Sequence, residues 1–284
     1  MVNAIAEGAL PALDGPANPL AAAIAARDRQ TIAMVREAVE ERRVVLAFQP
    51  VVTAAQPLRT GFYEALLRVL DASGRVIPAR DFIGAVEQTQ LGRKLDCLAL
   101  EQGLQTLHRH QRLRLAINMS ARSIGYPPWR AALEQGLARD PTIAERLILE
   151  ITEASAMLMP DLVQVFMEEL QRKGITFALD DFGSGYTSFR YLRDFYFDII
   201  KIDGQFISGI HADPDNQVLT AALVSIARHF DMLTVAEAVE SAADAAFLVA
   251  AGVDCMQGYH FGAPTLRPAW AEDDEEVAAV REAG

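Results

Sequence analysis

Cysteine is nearly absent from this chain: 284 residues carry only Cys97 and Cys255, far apart and with no CxxC spacing. That excludes a disulfide framework or a zinc knuckle and leaves two core thiols. Long apolar runs are missing as well. Stretches such as Leu20–Ala26 fall far short of the roughly 20 residues that a bilayer-spanning helix needs. No basic residue precedes Arg27, so the cationic start of a secretory leader is missing too, and the expected location is cytoplasmic. Basic residues are in the minority, 26 Lys and Arg against 38 Asp and Glu, for a formal charge of −12. This argues against bulk nucleic acid as a partner, because such binding neutralises phosphates with Lys and Arg. A small phosphate ligand remains open, since carboxylates can hold it through shared metal ions.

What the chain does have is a core. Hydrophobic residues make up 51% of it, which excludes disorder of the whole. The N-terminal 28 residues, rich in Ala, Pro and Gly, read as a tail or linker, and Ile32, Val35 and Val39 predict a helix from about Asp28 to Glu41. Eight apolar runs then read as strands: Val44–Val52, Gly61–Arg68, Leu113–Met119, Arg146–Thr152, Ile175–Asp181, Asp198–Asp203, Met232–Ala236 and Val253–Gln257. Amphipathic segments such as Asp161–Lys173 and Asn216–His229 lie between them. Strands alternating with helices suggest an α/β barrel rather than an open sheet. The expected organisation is a tail and helix over 1–43, one domain over 44–270 and an acidic segment over 271–284, where Glu272–Glu276 opens a solvated helix.

Polar residues fall at the C-terminal ends of these strands. By strand alternation, Glu64 shares a face with Phe62, Asn118 with Ala116, Glu150 with Ile148, Asp180 with Ala178 and Glu237 with Val235. In a barrel such positions converge on one mouth. Two carboxylates about 4 Å apart repel by ~4 kcal/mol at an effective dielectric near 20. Convergence of Glu64, Glu150, Asp180, Asp181 and Glu237 therefore calls for cations, and an all-oxygen ligand set favours Mg²⁺ or Mn²⁺. Asp180 could bridge two ions while Asp181 reaches the second, the arrangement of a two-metal phosphodiester cleavage site, with Lys201 as a compact charge beside them.

Several motifs stand in order along the chain: Gln49-Pro50-Val51, Glu64-Ala65-Leu66-Leu67-Arg68, Ile117-Asn118-Met119-Ser120 and Glu150-Ile151-Thr152-Glu153. They continue with Asp180-Asp181-Phe182-Gly183-Ser184-Gly185-Tyr186-Thr187-Ser188, Lys201-Ile202-Asp203, Ala236-Glu237-Ala238-Val239-Glu240 and Gln257-Gly258-Tyr259. From Val44 to Pro264 the sequence resembles the EAL-domain family of cyclic di-GMP phosphodiesterases. Each tripeptide is weak alone; the ordered set is very specific.

The resemblance implies a modified TIM-type (β/α)8 barrel, its first strand antiparallel, with an N-terminal helical extension. It implies two divalent cations, one held by Glu64, Asn118, Glu150 and Asp180, the other by Asp180 and Asp181. Lys201 and Glu237 would position and activate the attacking water, and Glu153 and Glu240 join the catalytic set. Gln49 toward a guanine, Arg68 toward a phosphate, and Leu66, Asp181 and Gln257 look like substrate contacts. The product would be linear pGpG. Glu153 belongs by position to a loop, and in the family it orders the segment matching Phe182–Ser188, which borders a dimer contact. A homodimer is thus expected, and the N-terminal helix could dock a regulatory partner. The alternative is an EAL-type receptor that binds without cleaving; such members usually lack a metal ligand or the loop glutamate, and none is missing here.

Ala238 departs from the glycine usual in the family, which strains the turn if it needs a positive φ; Val69 replaces a frequent tryptophan. The Gly183–Gly185 stretch lacks the lysine and longer glycine pattern of a P-loop. The five histidines, His108, His110, His211, His229 and His260, form no metal motif and read as surface residues, though His260, near the mouth, could touch substrate.

Overall fold

The computed structural model describes residues 19–55, 58–184, 192 and 195–271. Nine strands are β1 Val44–Thr53, β2 Thr60–Leu70, β3 Val76–Pro78, β4 Leu115–Asn118, β5 Leu147–Thr152, β6 Thr176–Phe182, β7 Ile199–Ile202, β8 Leu233–Ala236 and β9 Cys255–Gln257. Neighbours run in the order β1-β9-β8-β7-β6-β5-β4-β2, and pairing of β1 with β2 closes eight of them into a barrel. β1 is antiparallel to both β2 and β9, while the pairings from β2 and β4 round to β8 and β9 are parallel. All eight strands read from the sequence are present. The short β3, which hairpins onto β2 outside the barrel, was not expected, since three residues hold too little pattern to be read.

Strands wrapped by helices are buried on both faces and become apolar runs; β7, Ile-Ile-Lys-Ile, is buried throughout. The wrapping is done by α1 Pro19–Glu40, α2 Gln90–Arg109, α3 Pro127–Arg139, α4 Pro160–Gln171, α5 Pro214–His229 and α6 Ala242–Ala251. α4 shows why: Val163, Phe166, Met167 and Leu170 form one buried stripe at helical spacing. Local chemistry sets the ends. Thr89 and Ser241 cap α2 and α6 by accepting backbone N–H groups, and Gly252 stops α6 at a φ of 81°.

α1 begins nine residues before the expected start at Asp28, so part of the stretch read as a tail is helical. Its alanines explain both facts: they favour helix yet supply no apolar stripe to read. Only the C-terminal half is anchored, with Val35 and Ala38 packed into a cluster with Val44, Val69, Phe82, Val86 and Leu95. Residues 272–284, including the expected acidic helix, lie outside the described residues.

Inside the barrel sits a layer of Val51, Phe62, Ala116, Ile148, Ala178, Ile199 and Val235, with Cys255 against it. Each barrel strand contributes one residue to this plug.

Candidate active site

Two residues toward the mouth from each member of that plug stands a polar side chain. The alternation of strands brings them to the same inward face: Gln49 on the reversed β1, then Glu64, Asn118, Glu150, Asp180, Lys201, Glu237 and Gln257. All eight strands contribute, beyond the six whose ends the sequence had marked.

Hydrogen bonds tie the ring together. Gln257 Nε2 donates to Glu64 Oε2 at 2.6 Å and to Gln49 Oε1 at 3.1 Å. Asn118 Nδ2 donates to Glu64 Oε1 at 2.8 Å. At the centre lies Lys201, only 1% exposed, its Nζ 2.8 Å from Glu237, 2.9 Å from Asp180, 3.1 Å from Glu150 and 3.5 Å from Glu64. Burial opposes its charge, but the surrounding carboxylates win and hold its pKa well above the ordinary lysine value.

The carboxylates do less well. Burial, with Glu64 and Asp180 nearby, pushes Glu150 well up despite Lys201. Burial and the Asp180 charge raise Asp181 to about 6, and burial raises Glu237 to about 8. Glu64 is the exception: burial would raise it, but Lys201, Gln257 and Asn118 together hold it low. Five acids face one ammonium, and the buried Glu150 Oε1 meets no hydrogen-bond donor among the described residues.

That deficit of positive charge is the chemistry of a cation site. Oxygens of Glu64, Glu150 and Asp180 lie within 4.8 Å of one another, and so do those of Asp180, Asp181 and Glu237. Two such sets sharing Asp180 fit two hard divalent ions. β6 makes the sharing possible. Its pairing with β7 slips between Leu179 and Phe182, and Asp181 has a φ of 55°, a bulge that re-aims side chains. Asp180 and Asp181 thereby serve the same site although adjacent in sequence.

Beside the ring opens a cavity of about 400 Å³ lined by Gln49, Leu66, Arg68, Glu237, Glu240 and Gln257, so every expected substrate contact except Asp181 faces it. Arg80 and Tyr259 also line it and were not expected. A second cavity of about 570 Å³ is lined by Asn118, Asp180 and Asp181, with Leu67, Ile83, Leu95 and the shared Arg80 also in its wall. Asp96, at the back of this cavity, accepts from Ser123 Oγ at 2.5 Å and Ser120 N at 3.1 Å, and so fixes the turn that follows Asn118.

Glu153 opens a short helix, Glu153–Leu158, rather than a loop. Its buried Oε2 accepts the backbone N–H of Gly183 at 3.2 Å; the rest of the segment it was expected to order, residues 185–188, lies outside the described residues. His260 packs edge-on against Phe261 and is not part of the cavity wall. His211 bonds the buried Asp244.

The model of the EAL domain family matches residues 32–264. The chain belongs to the EAL domain family. It is 32% identical over 235 residues to the signaling protein YkoW of Bacillus subtilis, covering 81% of this chain and 29% of that protein. It is 32% identical to the bifunctional diguanylate cyclase/cyclic di-GMP phosphodiesterase MucR of Pseudomonas aeruginosa, covering 81% and 34%. It is 30% identical to the cyclic di-GMP phosphodiesterase PdeF of Escherichia coli, covering 81% and 31%. The chain thus spans about a third of the length of these relatives. Solved structures superpose on this fold as well. The MucR phosphodiesterase in complex with c-di-GMP gives a TM-score of 0.73 at 32% identity, over 85% of this chain and 98% of that one. The FimX EAL domain of P. aeruginosa bound to c-di-GMP gives 0.74 at 29%, over 84% and 97%.

Proposed function

We propose that the protein is a divalent-metal-dependent phosphodiesterase that opens cyclic di-GMP to linear pGpG. The observation that carries this reading is the ring itself: carboxylates in excess of one buried lysine, arranged as two cation sets sharing Asp180, beside a cavity with Gln49 and Arg68 in its wall. Membership in a family whose relatives are named cyclic di-GMP phosphodiesterases supplies the substrate.

In this reading Glu64, Asn118, Glu150 and Asp180 would hold one Mg²⁺ or Mn²⁺, and Asp180 and Asp181 would hold the second. Such a pair supplies Lewis acidity to the scissile phosphate and lowers the pKa of the attacking water. The protein groups do the rest. Arg68 seats a phosphate with Leu66 beside it, Gln49 addresses a guanine edge, Gln257 and Asp181 complete the substrate contacts, and Glu153 and Glu240 support the catalytic set. Glu237, on the cavity side of Lys201, accepts the proton that the water loses as its oxygen bonds phosphorus. Lys201 stays charged and stabilises the negative charge that builds on the phosphoryl oxygens. Breakage of one P–O3′ bond, with the departing 3′ oxygen taking up a proton from solvent, then gives the linear product. A cytoplasmic location, a homodimer and a regulatory partner at α1 belong to the same proposal; among the described residues no helix is long and apolar enough to cross a membrane.

The test is chromatographic: purified protein with cyclic di-GMP and Mn²⁺ or Mg²⁺, beside Glu64→Ala and a chelator control. Metal-dependent pGpG, reduced at least about 1,000-fold in the variant, is the expected result. Turnover unchanged in Glu64→Ala would sink the two-metal assignment. Tight binding without product would make the protein a receptor.

A further inference from the structure

The acids grouped around Asp181 come from two different turns, Asp180–Asp181 at the end of β6, which would hold the second ion, and Glu237 just beyond β8, which would take the proton from the attacking water. These turns are not neighbours in the barrel, because β7 lies between them. What joins them is the turn after β7. Asp203 donates its backbone N–H to Phe182 O at 3.3 Å and caps the short helix Gly204–Ile207 by accepting from Gln205 N at 2.7 Å. From there Gln205 Nε2 donates to Gly183 O at 3.0 Å. The ring of Phe206 covers Gly183 so closely that a methyl group there would stand 2.5 Å from Phe206 Cε2.

On its other side the same turn meets β8. Ala238 holds a left-handed φ of 51°, and its methyl faces Gly204; a methyl on Gly204 would stand 2.7 Å from Ala238 Cβ. The two residues are complementary: Gly204 leaves the space that the alanine occupies. Glu237, next to Ala238, donates its N–H to Ile202 O at 3.2 Å. Gly183 is meanwhile gripped from its far side by Glu153. The mouth therefore carries a continuous belt, Glu153 to Gly183 to Gln205 and Gly204 to Ala238, whose Gly204 and Ala238 stand in the wall of the cavity of about 400 Å³ beside Glu237.

We propose that the turn Gly204–Phe206 is a positioning element that sets the spacing between the two acidic turns, with Gln205 as its latch to β6 and Gly204 as its seat for β8. This rests on the phosphodiesterase reading for its functional consequence, though not for its effect on cation binding. Gln205 is exposed and touches no acid of the site, so its role runs entirely through Gly183. Positioning errors well under the length of a bond are enough to cost catalysis one to two orders of magnitude.

The experiment compares wild type with Gln205→Ala, Gly204→Ala, Ala238→Gly and the double variant Gly204→Ala/Ala238→Gly. Mn²⁺ affinity is measured by equilibrium dialysis, kcat and KM with cyclic di-GMP, and Tm throughout. Gln205→Ala is expected to keep its Tm within about 2 °C, to bind Mn²⁺ about 3- to 10-fold more weakly, and to lose kcat about 10-fold with KM within about twofold. Gly204→Ala should show the same losses, and Ala238→Gly should restore them in the double variant by removing the methyl that collides. Unchanged Mn²⁺ affinity and kcat in Gln205→Ala, or a Gly204→Ala defect that Ala238→Gly leaves in place, would overturn the proposal. A wild-type protein without turnover would sink the phosphodiesterase reading alone, and the Mn²⁺ affinities would still decide the belt.

Discussion

Lys201 is one charge asked to neutralise several. Its ammonium reaches four carboxylates between 2.8 and 3.5 Å, and Asp181 adds a fifth acid to the group. The mismatch is visible in which way each acid titrates. Burial and mutual repulsion hold Glu150, Asp181 and Glu237 above their ordinary values, Asp181 at about 6 and Glu237 at about 8. An acid whose pKa is raised by folding binds protons more tightly in the native state than in the unfolded one, so stability falls as pH climbs from the unfolded value through the folded value. Glu64 shifts the other way, but its window lies at lower pH. With divalent ions chelated, Tm should therefore drop between about pH 5 and pH 8, by roughly 5 °C. Saturating Mn²⁺ should flatten or reverse that slope, because cations then take the place of the protons. A metal-free Tm that rises across this range would mean that the acids are not jointly frustrated.

At the scale of elements, the strand ends do the positioning, and each uses a different local device. β6 uses a bulge and the left-handed Asp181. β5 stops at Thr152, whose side chain accepts from Ser155 N and starts the helix that presents Glu153. Much of this was readable from sequence. Period-two alternation assigned Glu64, Asn118, Glu150, Asp180 and Glu237 to the inward faces of their strands, and the plug of Phe62, Ala116, Ile148, Ala178 and Val235 lies beneath them as that pattern requires. The bulge was not readable, because register against a neighbour is a property of pairs of strands, nor was the belt through Gln205, whose partner is a backbone carbonyl. Arg80 escaped notice for a related reason: nothing in one arginine beside Asp81 marks it as lining two cavities. Glu153 tests the positioning idea directly. Glu153→Ala should leave the acids in place but release Gly183, so amide exchange across residues 181–184 should accelerate at least about tenfold, with kcat falling in step. Full activity with unchanged protection would remove Glu153 from the positioning set.

The whole molecule shows where an upstream element can touch this chemistry. Reversal of β1 brings its start, Val44, beside Val69 near the end of β2, which places that corner at the mouth. α1 enters the same corner: Val35 and Ala38 pack with Val44, Val69, Phe82 and Val86, and Phe82 follows two residues after Arg80 in the cavity rim. The N-terminal half of the helix is different, exposed along residues 21–25 with Ile24 at 52%. One end of α1 is thus part of the rim's foundation and the other is free of it. Val35→Ala removes two buried methyl groups and should cost about 1–3 kcal/mol, or roughly 3–10 °C in Tm for a domain of this size. Ile24→Ser removes apolar surface from a position that is half exposed among the described residues, so its Tm should stay within about 1–2 °C of wild type. Because the anchored half supports the segment bearing Arg80, Val35→Ala should also raise KM for cyclic di-GMP more than it lowers kcat. Equal thermal losses in the two variants would show that α1 packs along its whole length, and an unchanged KM in Val35→Ala would separate the helix from the rim.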